Sequence, residues 1–206
     1  NCSALESFKL TKGLELGTSV FSGCKGLSSV EIEEGVTALP NNTFNNCSSL
    51  KSVVLPESLE LIGNYCFNKA GLESIVIPEA TLTIGYNAFA ENKSLLSVEI
   101  NAPIVEFDSS IFSGCSSLET VECVEGVEFI GYNMFYGCSS LKNVTLPNSL
   151  VGIGSYAFQG TGLESIIIPE NVSEIGTYYY GGTVNEWSYT YVFADCKNLS
   201  EVNIES

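Results

Sequence analysis

Six of the eight cysteines stand three residues before a leucine: Cys2, Cys24, Cys47, Cys115, Cys138 and Cys196. Thiols in one register invite three chemistries: nucleophilic attack, metal ligation and disulfide bonding. The chain has no histidine, so no Cys-His or Ser-His pair exists to activate a nucleophile. There is no Cys-x-x-Cys, and thiols strung along a chain do not cluster as zinc requires. Disulfides between neighbouring turns are conceivable, since ~4.8 Å lies inside the permitted Cα range, but Cβ vectors in register run parallel rather than converging. Asn92 takes the same register and Thr161 falls near it. The expectation is therefore a column of small side chains packed inward or bonded to loop backbone, with the thiols free and buried.

Acids and bases must then come from carboxylates. Glu31, Glu99 and Glu122 each follow a leucine by four residues, and a facing pair could hydrolyse a glycosidic bond. The same offset otherwise carries Lys9, Val54, Val76, Thr145, Ile167 and Asn203, which describes a variable surface. Two aspartates and no Asp-rich loop argue against calcium. Gly152 and Gly154 lack the rest of a phosphate-binding loop and the lysine that goes with it. No catalytic residue, cofactor or metal is expected.

The remaining chemistry is aromatic. Residues 177–191 hold the one tryptophan and five of the ten tyrosines: Tyr178, Tyr179, Tyr180, Trp187, Tyr189 and Tyr191. Rings that combine large contact area with a polar tip suit recognition of a protein or glycan. The stretch also alternates well enough to fold back locally as a hairpin. A second candidate surface is apolar, with Val54 and Val76 expected on adjacent strands.

These residues ride on a repeat. The pattern Leu-x-x-Val-x-Ile-Pro, then Ile-Gly-x-x-Ala-Phe-x-x-Cys, returns with leading leucines at 5, 27, 50, 72, 95, 118, 141, 163 and 199. The steps are 22 or 23 residues until the last, which is 36 because 13 residues are inserted before Phe193. Fixed self-similarity of this length means a solenoid whose units bury their apolar sides against one another. Alternation after each leucine predicts a strand, including residues 53–55, 98–100 and 144–146. Proline then ends it. A second short apolar segment returns to the core, as at Leu59 and Ile62, and Gly63 marks a sharp bend or positive φ. Residues 64–67 should form a helical or 3₁₀ turn that drops Phe67 inside, and the Phe column reads as core packing.

The motif LKNVTLP at 141–147 and IGSYAF at 153–158 resembles the BspA-type (Treponema-type) leucine-rich repeat, and the likeness covers nearly all of the chain. It implies a curved right-handed superhelix, mostly β, with one parallel strand per 22–23-residue repeat, short second strands and 3₁₀ or helical turns. It also implies secreted or surface-exposed proteins of host-associated microbes, often adhesins, with no catalytic residues to carry over. Departures from the pattern are Thr81, Cys123 in a strand, and the long unit after Leu163.

Composition sets further limits. With 24 acidic and 8 basic residues, none of them arginine, the net charge is −16. Phosphate backbones and anionic membranes need the opposite sign. No run of apolar residues is long enough to insert in a bilayer as a helix. The expectation is one solenoid over residues 1–206, cut from a longer array, with any signal or anchor outside it and with apolar ends prone to self-association. Three functions compete: a non-enzymatic protein- or glycan-binding adhesion module, extracellular or at the cell surface; a structural stalk; and part of a hydrolase using paired glutamates.

Overall fold

The computed structural model describes residues 2–103, 108–180, 183–185 and 191–205, with the backbone alone for 177–180 and 183–185. In chain order the strands are β1 (Ser7–Leu10), β2 (Ser29–Ile32), β3 (Ala38–Leu39), β4 (Leu61–Ile62), β5 (Ser74–Ile77), β6 (Thr83–Ile84), β7 (Ser97–Ile100) and β8 (Thr120–Cys123). They continue as β9 (Phe129–Ile130), β10 (Asn143–Thr145), β11 (Gly152–Gly154), β12 (Ser165–Ile168), β13 (Glu174–Tyr180), β14 (Thr183–Asn185) and β15 (Glu201–Ile204). The strand after each leading leucine pairs parallel with its counterpart one repeat away, Ile75 with Val98 and Val98 with Val121. The short second strands form their own parallel ladder, Ile62 beside Ile84. Parallel strands joined by the rest of each turn make a leucine-rich repeat solenoid.

Alternation decides what each strand buries. In β7, Val98 and Ile100 are buried while Ser97 and Glu99 face out. Leucines, valines and isoleucines from Leu10 to Val192 join one continuous core. Through it runs a file of rings: Phe44, Phe67, Phe89, Phe112, Phe135 and Phe158 are all fully buried. Consecutive centroids lie 5.3 to 5.9 Å apart with planes within 21° of parallel. Each such pair adds about 0.5–1.5 kcal/mol beyond the area it buries.

Two expectations are corrected. Residues 53–55 form no strand, and the first sheet is divided into β1-β2, β5-β7-β8-β10 and β12-β15. Val53 and Leu55 still point inward and Glu73 N–H still reaches the Lys51 carbonyl at 2.9 Å. Burial fixes which way side chains face, but exposed backbone groups can bond to water instead of a ladder. The turns around the Phe file are also not helical among the described residues. Tyr65 (φ 55) and Lys69 (φ 55) are left-handed, as are Asn42 and Asn46, and Asn87 and Glu91. A left-handed residue at each end of a five-residue stretch prevents a helical run. Alternate N–H groups in the stretch are turned along the stack toward the next repeat, while the others, such as those of Cys66 and Asn68, close on Gly63 O and Tyr65 O within their own turn. Phe44 donates to Cys66 O at 2.8 Å, Phe67 to Ala88 O at 2.7 Å and Phe89 to Ile111 O at 3.0 Å.

Gly63 serves the bend by close approach and not by positive φ. A Cβ there would lie 2.6 Å from Asn41 N. Asn41 Oδ1 in turn accepts the N–H of Asn64 at 2.8 Å, and Asn64 Oδ1 that of Tyr86 at 3.0 Å. Thr81, a polar residue in an aliphatic position, is buried by donating to Leu59 O at 3.0 Å.

Candidate functional site

The thiol register is defined by the phenylalanines: from Cys24 onward each member stands three residues after one. Cys47 Sγ donates to Phe21 O at 3.1 Å, Cys115 to Phe89 O at 3.3 Å, Cys138 to Phe112 O at 3.2 Å and Cys196 to Phe158 O at 3.0 Å. Thr161 stands in the register itself, bonding Phe158 O at 2.9 Å, and Ala70 fills it one repeat after Cys47. Counting back from the leucines misplaces both, because their linking turns are one residue shorter. All eight cysteines are free. Burial pushes the Cys47 thiol up to about 11 and those of Cys66, Cys115 and Cys123 to about 12. Such thiols are poor nucleophiles, and those of the register satisfy buried carbonyls.

Asn92 does more than a thiol can. Its Nδ2 donates to Phe67 O at 2.8 Å and Phe89 O at 2.7 Å. Its Oδ1 accepts the N–H groups of Gly71 at 2.9 Å and Leu72 at 3.1 Å. In full-length turns the leucine N–H is taken within its own turn, as by Cys47 O for Leu50. The shortened turn before Leu72 is instead served from the next repeat.

The glutamates do not assemble a cleft. Glu31 is ion-paired with Lys9 on the neighbouring strand. Glu99 and Glu122 are register partners on β7 and β8, so both carboxylates leave the same face side by side, exposed. A hydrolytic pair must flank a bond, and these point away from the sheet in parallel.

The aromatic insertion starts where the second-strand ladder slips. Gly152 faces Glu174 and Ile153 faces Ile175, but Gly154 faces Thr177, leaving Gly176 as a bulge at φ 87. The buried Ser155 hydroxyl donates to Gly176 O at 2.6 Å and holds the bulge in place. A bulge bends its strand and adds twist. Beyond it β13 pairs antiparallel with β14, Tyr178 opposite Asn185, Tyr179 opposite Val184 and Tyr180 opposite Thr183. The insertion therefore begins as a locally folded hairpin. Trp187 and Tyr189 lie outside the described residues, as do the side chains of Tyr178, Tyr179 and Tyr180.

Tyr191 is 59% exposed and stacks on Tyr156 at 5.6 Å, 29°. Tyr156 meets Tyr132 edge-on at 5.6 Å. The insertion thus ends on a short tyrosine ladder that the sequence reading passed over. Its signal was present: Tyr132 and Tyr156 both fall between the bend and the buried phenylalanine.

The apolar candidates are weaker than expected. Val54 (83% exposed) lies on the unpaired segment, and Val76 is half-exposed beside Glu99 on β7. Where the first sheet breaks between β10 and β12, Val144, Leu146 and Ile167 line an open cleft of about 420 Å³. No helix among the described residues is long and apolar enough to cross a membrane.

The profile of the BspA type leucine rich repeat region matches residues 1–95 and 60–186, in six copies. Several solved structures share the architecture. A leucine-rich repeat protein from Bacteroides ovatus is 29% identical with a TM-score of 0.82, over 100% of this chain and 56% of that one. The T. pallidum leucine-rich repeat protein is 26% identical, TM-score 0.68, over 76% of each chain. A leucine rich cell surface protein from Faecalibacterium prausnitzii, 20% identical with a TM-score of 0.57, shares the fold over 100% of this chain and 61% of its own. The chain thus spans little more than half of the Bacteroides protein's length. No curated protein matches it significantly in sequence.

Proposed function

The chain belongs to the BspA type leucine-rich repeat family, and from that premise we propose that it is a non-enzymatic recognition module of an extracellular or cell-surface protein. Its partner is a protein or glycan met through the aromatic insertion, in an adhesion role. One observation carries this reading. The second-strand ladder is interrupted by a braced bulge, and the chain leaves the solenoid there as a hairpin bearing three consecutive tyrosines. Stacking alone needs none of this, since the preceding repeats close without it. An insertion in a repeat maps to one face, commonly the binding face.

The test is deletion of residues 178–189, which keeps Tyr191 and Phe193. The parent and shortened chains would be compared for binding to immobilised extracellular-matrix proteins and mucin. Retained melting behaviour with lost binding supports the reading, and a shift of Trp187 fluorescence on adding the bound partner supports it directly. Equal binding by the shortened chain would move the site to the sheet face and the Val54 and Val76 surface. A spacer reading, in which repeats only set distance, draws support from the continuous core and turn-to-turn bonding. It predicts that neither form binds.

A further inference from the structure

The turns of the first three repeats enclose a feature unlike the rest of the surface. A shallow basin of about 430 Å³ is lined by Asn42, Asn45, Asn46 and Asn68, with Tyr65 as a wall and Lys69 and Ser22 at its margin. No carboxylate lines it, on a chain with 24 acidic residues. Backbone geometry explains two of the amides. Asn42 and Asn46 hold left-handed φ values of 58 and 60, a conformation asparagine tolerates better than most residues. It does not explain the other two. Asn45 and Asn68 follow a buried phenylalanine directly, and neither has a positive φ. Later repeats place Ala90, Ser113, Tyr136 and Ala194 at that point, and an amide again only at Gln159, so the fold does not demand one there.

The amides are linked and leave groups to spare. Asn45 Nδ2 donates to Asn42 Oδ1 at 3.0 Å, and Asn68 Nδ2 to Ala90 O at 3.0 Å. Asn68 is 9% exposed, and its Oδ1 has no partner among the described residues. Asn45 Oδ1 and Asn42 Nδ2 also remain open there. The backbone around them is spent on the next turn: Phe21 N–H donates to Thr43 O and Asn46 N–H to Asn68 O. An extended peptide would therefore find no ladder to join.

We propose that this basin binds an uncharged saccharide. Sugar hydroxyls both donate and accept, so neighbouring hydroxyls can meet the open acceptors Asn45 Oδ1 and Asn68 Oδ1 and the open donor Asn42 Nδ2 together. A cation would meet no carboxylate in the lining. A polyanion would meet one lysine on a chain of net charge −16. The Tyr65 wall offers a ring against which apolar C–H groups of a sugar pack. This site is separate from the hairpin and does not depend on it.

The experiment uses the full chain on a printed array of neutral oligosaccharides (glucan, mannan, galactan and N-acetylglucosamine oligomers) beside uronate-containing and sulfated ones. Asn45→Ala/Asn68→Ala is compared with the parent and with the chain lacking 178–189. The expected result is retention of at least one neutral oligosaccharide, at least tenfold weaker in the double variant and unchanged without the hairpin. Circular dichroism checks folding. If the double variant unfolds, Asn45→Asp, which keeps the volume and removes the donor, takes its place with the same expectation. Retention of none, retention of acidic glycans alone, or equal binding by the Asn45 variants overturns the proposal. Loss on hairpin removal alone would also overturn it, by assigning glycan binding to the insertion.

Discussion

Replacing Asn92 by cysteine installs the residue that its register carries most often, and a repeat-consensus argument expects a gain. The hydrogen bonds around Asn92 predict a loss. Its Oδ1 takes the N–H groups of Gly71 and Leu72, at 2.9 and 3.1 Å, and a thiol in that place cannot accept both. The two carbonyls served by its Nδ2 keep other donors, Ala70 N–H at 3.2 Å for Phe67 O and Cys115 Sγ at 3.3 Å for Phe89 O. The cost therefore falls on the two N–H groups. A buried donor left without a partner costs ~1–3 kcal/mol. Leu72 is fully buried and Gly71 half-buried, so the sum is about 2–4 kcal/mol. Urea unfolding followed by far-UV circular dichroism, with reductant present, measures it as a lower midpoint at unchanged slope. A double-mutant cycle isolates the cause. One serine inserted between Ala70 and Gly71 restores the spacing found from Cys47 to Leu50 and lets the leucine N–H close within its own turn. It should recover most of the loss in the Asn92→Cys background and give no gain in the parent. A variant as stable as the parent, or one that the insertion does not rescue, would refute this account of the short repeats.

Phe112→Ala removes a fully buried ring stacked at 5.5 Å on Phe89 and 5.9 Å on Phe135, and should cost ~3–5 kcal/mol. Because repeats couple to their neighbours alone, the two sides should then unfold separately. Trp187 fluorescence and circular dichroism curves would cease to coincide; curves that stay superimposed would contradict the coupling. The buried thiols give a pH signature. Burial raises Cys66, Cys115 and Cys123 to about 12 from an ordinary 9, so the folded chain holds protons that the unfolded chain releases. Their contribution is complete below pH 9 and is lost as pH rises from 9 toward 12. Replacing the three with alanine, serine or valine as space allows should flatten the decline of stability over that window. At pH 8 a thiol reagent should modify the exposed Cys2 at once and Cys66, Cys115, Cys123 and Cys138 only on unfolding.

The repeat made most of the fold legible, since periodic leucines, valines and phenylalanines state which side chains must meet. What it could not state was backbone bonding. Residues 53–55 have the alternation of a strand and no ladder, because burial is satisfied without one. The left-handed pair in each turn was hidden because Ser19, Asn42, Tyr65, Asn87 and Ser110 all occupy one of its positions, and their types share no pattern. Thr161 and Ala70 were misplaced by a one-residue deletion that leaves the apolar pattern intact. At the candidate sites, repeat spacing identified the insertion, and alternation offered a hairpin as one of two readings, with its arms placed differently from the observed pairing of Tyr178–Tyr180 with Thr183–Asn185. Both missed Tyr132 and Tyr156, and the Asn45–Asn68 basin, because neighbours across a solenoid lie some 22 residues apart and become one surface only when stacked.

The turn-to-turn bonds carry one consequence for the molecule as an electrical object. Around the Phe file, from Ser19 to Gly160, the inter-turn N–H groups point toward the C-terminal neighbour, while beside the strands they point the other way, as from Gly63 to Leu39 O, Gly85 to Ile62 O and Val124 to Ile100 O. Each peptide dipole is ≈ 3.5 D, and the two columns are antiparallel. They oppose one another along the solenoid axis, so no single macrodipole of the α-helical kind accumulates. Each added repeat lengthens both columns. An end face of such a stack is two-toned: toward the C-terminus the Phe side offers N–H groups and the strand side carbonyls, and toward the N-terminus the reverse. Two arrays approaching along their axes therefore match head to tail with like sides aligned.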